Sequence, residues 1–118
     1  MLLPRVLAAG APVWNCADPQ VQQEIHRADK ALNAQWKLAS EEMKRRDERD
    51  GKPMDGRSGH MATPLAAQRA WLKLRDAHCQ LDGYLFRAGS MEPLIVATCR
   101  TSLTEARTKQ LQDLIEQQ

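Results

Sequence analysis

Long apolar runs are missing from this chain, and aromatic side chains are scarce. No stretch approaches the ~20 apolar residues that a membrane helix requires, so no membrane span is expected. Three Trp, one Tyr and one Phe are the whole aromatic complement, which makes these few large side chains candidate core anchors. An excess of one charge is also lacking. The formal net charge is +2, and the densest basic stretch, residues 44–49, is interleaved with Glu41, Glu42, Asp47, Glu48 and Asp50. Such alternation describes a solvated helix face and speaks against a nucleic-acid partner. There is no glycine-rich phosphate loop followed by Lys, no C-x-x-C and no His pair four residues apart, so neither cofactor nor metal is expected.

What is present suits a globular helical protein. The 118 residues, 42% hydrophobic and 27% charged, fit one domain. A chain of this size buries roughly two thirds of its unfolded surface, a modest core. Residues 1–17 are mostly apolar with small residues at Ala8, Ala9, Gly10 and Ala11; they read as a signal remnant or as an N-terminal arm. Residues 18–118 read as a single helical domain. Asp18-Pro19 supplies an N-cap and a first-turn proline. Val21, Ile25, Ala28, Leu32, Trp36, Ala39 and Met43 then recur at steps of three and four, which predicts a helix over 19–49. Residues 50–62, with three Gly and one Pro, predict a loop. Thr63-Pro64 opens a second long helix to Phe86, with one apolar stripe through Ala67, Trp71, Leu74, His78, Leu81 and Leu85. A second stripe lies beside it at Leu65, Leu72, Cys79 and Phe86. A short helix over 92–99 and a final one capped by Ser102 and Glu105 complete the count. Strand alternation is absent. The expectation is an all-α compact bundle of about four helices, two long and two shorter, centred on the helix from Thr63.

The three cysteines, Cys16, Cys79 and Cys99, fit no zinc spacing. His78 and Cys79 are helix neighbours whose side chains diverge by about 100°, so they share a metal poorly. Two readings stand: a disulfide between Cys79 and Cys99, or buried free thiols in a cytosolic protein. Cys16 is left over, free or pairing between chains to make a dimer.

Four segments carry a resemblance. A-D-K-A-L-N-A-Q-W-K at 28–37, A-Q-R-A-W-L-K-L-R-D-A-H-C at 67–79, G-S-M-E-P-L-I-V-A-T-C at 89–99 and L-T-E-A-R-T-K-Q-L at 103–111 resemble, in this order, the LprI-like lysozyme-inhibitor family. The likeness spans about residues 16–114. It implies a mostly helical fold, the Cys79–Cys99 bridge and an oxidising compartment, periplasmic or secreted. It also implies a non-enzymatic role as inhibitor or immunity protein against a peptidoglycan-cleaving enzyme. Two departures stand out: Cys16 is alone where the family commonly has a further cysteine partner, and Trp36 stands where Tyr or Phe is usual.

The polar members of these segments are Asp29, Asn33, Gln68, Arg75, Asp76, Thr104 and Arg107. They read either as partner contacts or as a half-buried network that sets helix register. Gln68, Leu72, Arg75 and Cys79 share a face, and Asp29 is the expected bidentate partner of Arg75. Trp36 and Trp71 read as core. An inhibitor of a glycosidase must occlude a cleft lined by two carboxylates. Lys52, Arg57, Ser58 and His60, in the 50–62 loop, supply cations and donors for that purpose, with the turn at Gly89-Ser90-Met91 as a second candidate. The competing reading of the loop is a tolerated insertion. The alternative function is an envelope interaction module without inhibitory activity. Catalysis finds little support, because Ser58 and His60 have no fixed carboxylate nearby in sequence.

Overall fold

A computed structural model describes residues 19–117. The N-terminal arm, the Asp18 cap and Cys16 lie outside the described residues. Three helices account for most of the described chain: α1 (Pro19–Asp50), α2 (Ala62–Gly83) and α3 (Met91–Glu116), with a 3₁₀ turn at Tyr84–Phe86 between the last two. No strand occurs among the described residues.

The α1 stripe behaves as its spacing predicts. Ala28, Leu32, Ala39 and Met43 are buried, while Val21, Ile25 and Trp36 are half-buried. Their partner is α3, whose buried residues Ala97, Thr104 and Leu111 recur every seven positions, the repeat of a long helix–helix seam. Leu32, Ala39 and Leu111 form the core cluster, and Trp36, Trp71 and Ile115 pack against it. Both tryptophans are therefore anchors at the edge of the core.

Arg46 bonds Ile115 and Gln117 at one end of the seam. Ala28 meets Thr101 and Glu105 around a shared cleft nearer the other end. Helices α1 and α3 thus run parallel. Helix α2 runs antiparallel to α3: Gln68 bonds Arg107, Arg75 bonds Thr104, and Cys79 is joined to Cys99. Helix α3 is the element that both others pack along. The expected organisation around α2 is corrected accordingly.

Further expectations are corrected as well. The two shorter helices are one continuous α3, so the α-helices among the described residues number three. Ser102 and Glu105 lie inside it and form no capping box, because nothing between Leu94 and Glu116 interrupts the helix. Helix α2 begins at Ala62, not at a Thr63 cap, and Pro64 occupies its first turn, where a missing N–H costs nothing. The bundle extends 64 × 23 × 20 Å with a radius of gyration of 18.6 Å. About 13 Å is usual for a compact 100-residue domain, so this body is elongated.

Apart from Trp71, the main apolar stripe of α2 is also turned the other way. Leu74, Leu81 and Leu85 are 64, 63 and 87% exposed, and Ala67 and His78 are exposed with them. The buried face is Gln68, Arg75, Cys79 and Gly83. Two local constraints fix this rotation. The Cys79–Cys99 bridge holds the α2 and α3 backbones at a Cα separation of 5.5 Å. One turn later, a Cβ on Gly83 would lie 2.7 Å from Cγ2 of Val96, so the glycine permits the close approach.

Candidate functional site

The loop between α1 and α2 is held by its ends. Helix α1 stops at Gly51, whose φ of 70° suits a glycine terminator and whose N–H bonds the Asp47 carbonyl at 2.9 Å. The Asp47 carboxylate reaches across the loop. Its Oδ1 accepts from the His60 backbone N–H and its Oδ2 from the Met61 N–H at 3.0 Å. Helix α2 has no side-chain cap of its own. An anion from α1 therefore meets the positive end of α2 and satisfies donors at its entrance. Gly59 leaves room for that carboxylate, since a Cβ there would sit 2.7 Å from Asp47 Oδ1.

Between these anchors the loop is exposed. Asp55 and Arg57 flank Gly56, whose φ is 78°. The Asp55 carboxylate accepts from the Arg57 backbone N–H at 3.0 Å and from its Nε at 2.6 Å, and this guanidinium holds Asp55 below the usual carboxylate range. Arg57 thus carries a paired charge, although its side chain is 85% exposed. Ser58 and Lys52 are exposed. The His60 Nε2 lies 3.1 Å from Asp50. Arg49 and His60 together hold the Asp50 carboxyl down to about 2, Arg49 contributing most.

Behind the loop lies a groove of about 610 Å³ that the loop and all three helices line. Met43 and Arg46 come from α1, Thr63, Pro64 and Ala67 from α2, and Arg107, Gln110, Leu111 and Leu114 from α3. The loop adds Pro53, Asp55, Arg57, Ser58, Gly59 and His60. Three of the four loop residues expected to face a partner thus border one concavity; Lys52 stands apart from it. No sequence motif marks Arg46, Leu114 or Gln110 as members of this site. Their common feature, a meeting of three helix ends, exists only once α1 and α3 are known to be parallel.

The motif polar residues divide into two groups. Arg107 donates from Nε to Gln68 Oε1 at 2.9 Å and from Nη1 to Gln110 Oε1 at 3.0 Å. Burial pushes its pKa down, as expected for a guanidinium whose partners are neutral amides. Arg75 sits deeper and meets Thr104 Oγ1 at 3.3 Å. Both its Nε and its Nη2 approach Asp76 Oδ1 at 2.9 Å, and it lies over the Trp71 ring at 5.4 Å. The expected bidentate Arg75–Asp29 pair is corrected: Asp29 is 3.7 Å away through a single oxygen, and the adjacent Asp76 is the closer partner. Asn33 is exposed on α1.

Potential metal ligands meet at one place among the described residues, where ligand atoms of His78, Asp82 and Cys99 lie within 4.8 Å of one another. The Cys99 sulfur is already bonded to Cys79 and so presents no thiolate. The turn at Gly89-Ser90-Met91 lies at the opposite end from the groove, where Ala88, with φ of 62°, donates its N–H to Glu92 at 2.9 Å.

A family profile described as "Lysozyme inhibitor LprI" matches residues 15–111 of the sequence. An uncharacterized protein of Rhizobium meliloti is 38% identical over 101 residues, covering 86% of this chain and 70% of that protein. No solved structure matches significantly.

Proposed function

This chain belongs to the LprI lysozyme-inhibitor family, and on that premise we propose that it is an exported, non-enzymatic protein that binds and inhibits a lysozyme-type peptidoglycan-cleaving enzyme. The observation that carries the reading is the 51–61 loop. Its base is clamped by Asp47, while Arg57 and Ser58 stand exposed beside the groove. A segment pre-ordered in this way loses little conformational freedom on docking, which favours binding. Its donors suit a cleft lined by carboxylates. The Cys79–Cys99 bridge agrees with residence in the periplasm or outside the cell, where disulfides persist.

A second reading, an envelope interaction module without inhibitory activity, draws on a different surface. Leu74, Leu81 and Leu85 leave α2 with an uncovered apolar face, and such faces commonly mark protein contacts. A turbidity assay on cell-wall suspensions, run with a panel of lysozyme-type enzymes, separates the two. Slowed clearing by at least one enzyme, together with its co-purification with this protein, supports the inhibitor. Undiminished clearing by every enzyme tested, with the protein folded and oxidised, would refute it.

A further inference from the structure

The groove behind the loop is not balanced electrostatically. Arg46 is matched by a carboxylate: its Nε bonds Glu42 at 3.0 Å, and its Nη2 bonds the carbonyls of Ile115 and Gln117 at 3.1 and 2.8 Å. Arg57 is matched by Asp55, and His60 faces Asp50. Arg107 differs. Among the described residues no carboxylate lies within ion-pair distance of it, and its hydrogen bonds go to two amide oxygens through Nε and Nη1. Those two bonds fix the plane of the guanidinium on the groove wall and leave Nη2 without a protein partner among the described residues. The groove it shares has an apolar portion: Leu114, Pro64 and Ala67 are accessible, over the buried Met43 and Leu111. A half-buried cation held by two neutral amides, with its remaining Nη2 edge open beside apolar side chains, matches a carboxylate that carries an adjoining apolar group.

We propose that this groove is a second docking site for the enzyme that the loop engages, and that it receives a protruding segment of that partner. The segment carries a carboxylate that pairs with Arg107 beside an apolar side chain that covers Leu114, Pro64 and Ala67. The proposal rests on the inhibitor reading for the identity of the partner, but the chemistry of the groove does not. A concave site cannot occlude a concave catalytic cleft. The partner's rim therefore enters the groove, while the adjacent loop enters the partner. Arg107 supplies orientation more than bulk affinity, because a planar guanidinium already held by two amides accepts a carboxylate in few geometries.

The test uses the oxidised, full-length, isotope-labelled protein titrated with acetyl-Leu-Glu-amide and, separately, acetyl-Leu-Gln-amide, read by amide and guanidinium NMR shifts. The acid is expected to shift resonances of Arg107, Gln110 and Leu114 and to bind at least about fivefold more tightly than its amide, a modest figure because the site is open to solvent. Arg107→Gln is expected to erase that preference. Should this variant lose its fold with the Gln68 bond, Leu114→Glu provides the second arm. It keeps Arg107 but places a competing carboxylate in the groove, and the added acid should then no longer bind. Equal binding of acid and amide, shifts away from the groove, or no binding at millimolar peptide would each overturn the proposal. Tighter binding of a soluble muropeptide than of the acidic dipeptide would overturn the assignment to an enzyme segment. An acid preference in a protein that inhibits no lysozyme would sink the inhibitor reading and leave the carboxylate site standing. Inhibition without acid preference would do the reverse.

Discussion

The Arg75 side chain is only 9% exposed. Its guanidinium is shared among Asp76, Thr104 and, more distantly, Asp29, while its face lies over Trp71. Removing it would leave a cavity between α2 and α3 and strip Thr104 of its donor. Arg75→Ala is therefore expected to cost about 3 kcal/mol, from the lost packing of its buried stem and the lost hydrogen bond to Thr104. Asp76→Asn should cost less than about 1 kcal/mol, because that carboxylate is largely solvated. Urea denaturation midpoints measure both, and equal losses would contradict the assignment of Arg75 as the buried member. The spacing of Gln68, Arg75 and Cys79 was enough to place them on one face, and all three are buried. The partner of Arg75 was not legible, because a carboxylate adjacent in sequence reaches back around the helix while the distant Asp29 falls short. Arg107 was legible as a motif residue only; its lack of a carboxylate appears once α2 and α3 are side by side.

Among the elements, the α1 stripe matches its burial almost throughout, since one dominant neighbour, α3, defines its inward side. Helix α2 carried leucines on two sides, and hydrophobicity alone does not tell a buried leucine from one at 64% exposure, as at Leu74. The decisive signals were Cys79 and Gly83, small residues where the backbones approach. The break placed before Ser102 failed for a related reason: serine and glutamate three apart mark a helix start only where the preceding residues leave the helix. The loop has its own electrostatic signature. Asp50, at the end of α1, is paired with Arg49 and His60, and its pKa is about 2 in place of 3.8. A depressed folded-state pKa contributes stability that is complete above the unfolded value and lost as pH falls through the folded one. Stability at the loop base should accordingly decline between about pH 4 and pH 2. Asp50→Asn should flatten that decline in amide hydrogen exchange of residues 60–62. An unchanged slope in the variant would assign the acid sensitivity elsewhere.

At the scale of the whole molecule, the work is divided along the long axis. One end is locked by the Cys79–Cys99 bridge and the close approach at Gly83. The other gathers the ends of α1 and α3, the start of α2, the loop and the groove. A bridge spanning 20 positions contributes about 3 kcal/mol in the chain-entropy picture, a large fraction of a small protein's stability. Reduction should lower the urea midpoint correspondingly, and an unaltered midpoint would contradict a structural role for the bridge. The elongated shape was hidden from the sequence because it depends on α3 continuing unbroken past residue 100. The bridged helices thus carry the fold, and we propose that the loop end carries recognition. A lysozyme turbidity assay paired with a thermal melt on the combined variant Arg57→Ala, Ser58→Ala, His60→Ala separates the two roles. Inhibition is expected to be relieved while the melting temperature stays close to that of the parent protein. Full inhibition by the variant, or a collapse of the melting temperature, would contradict this division.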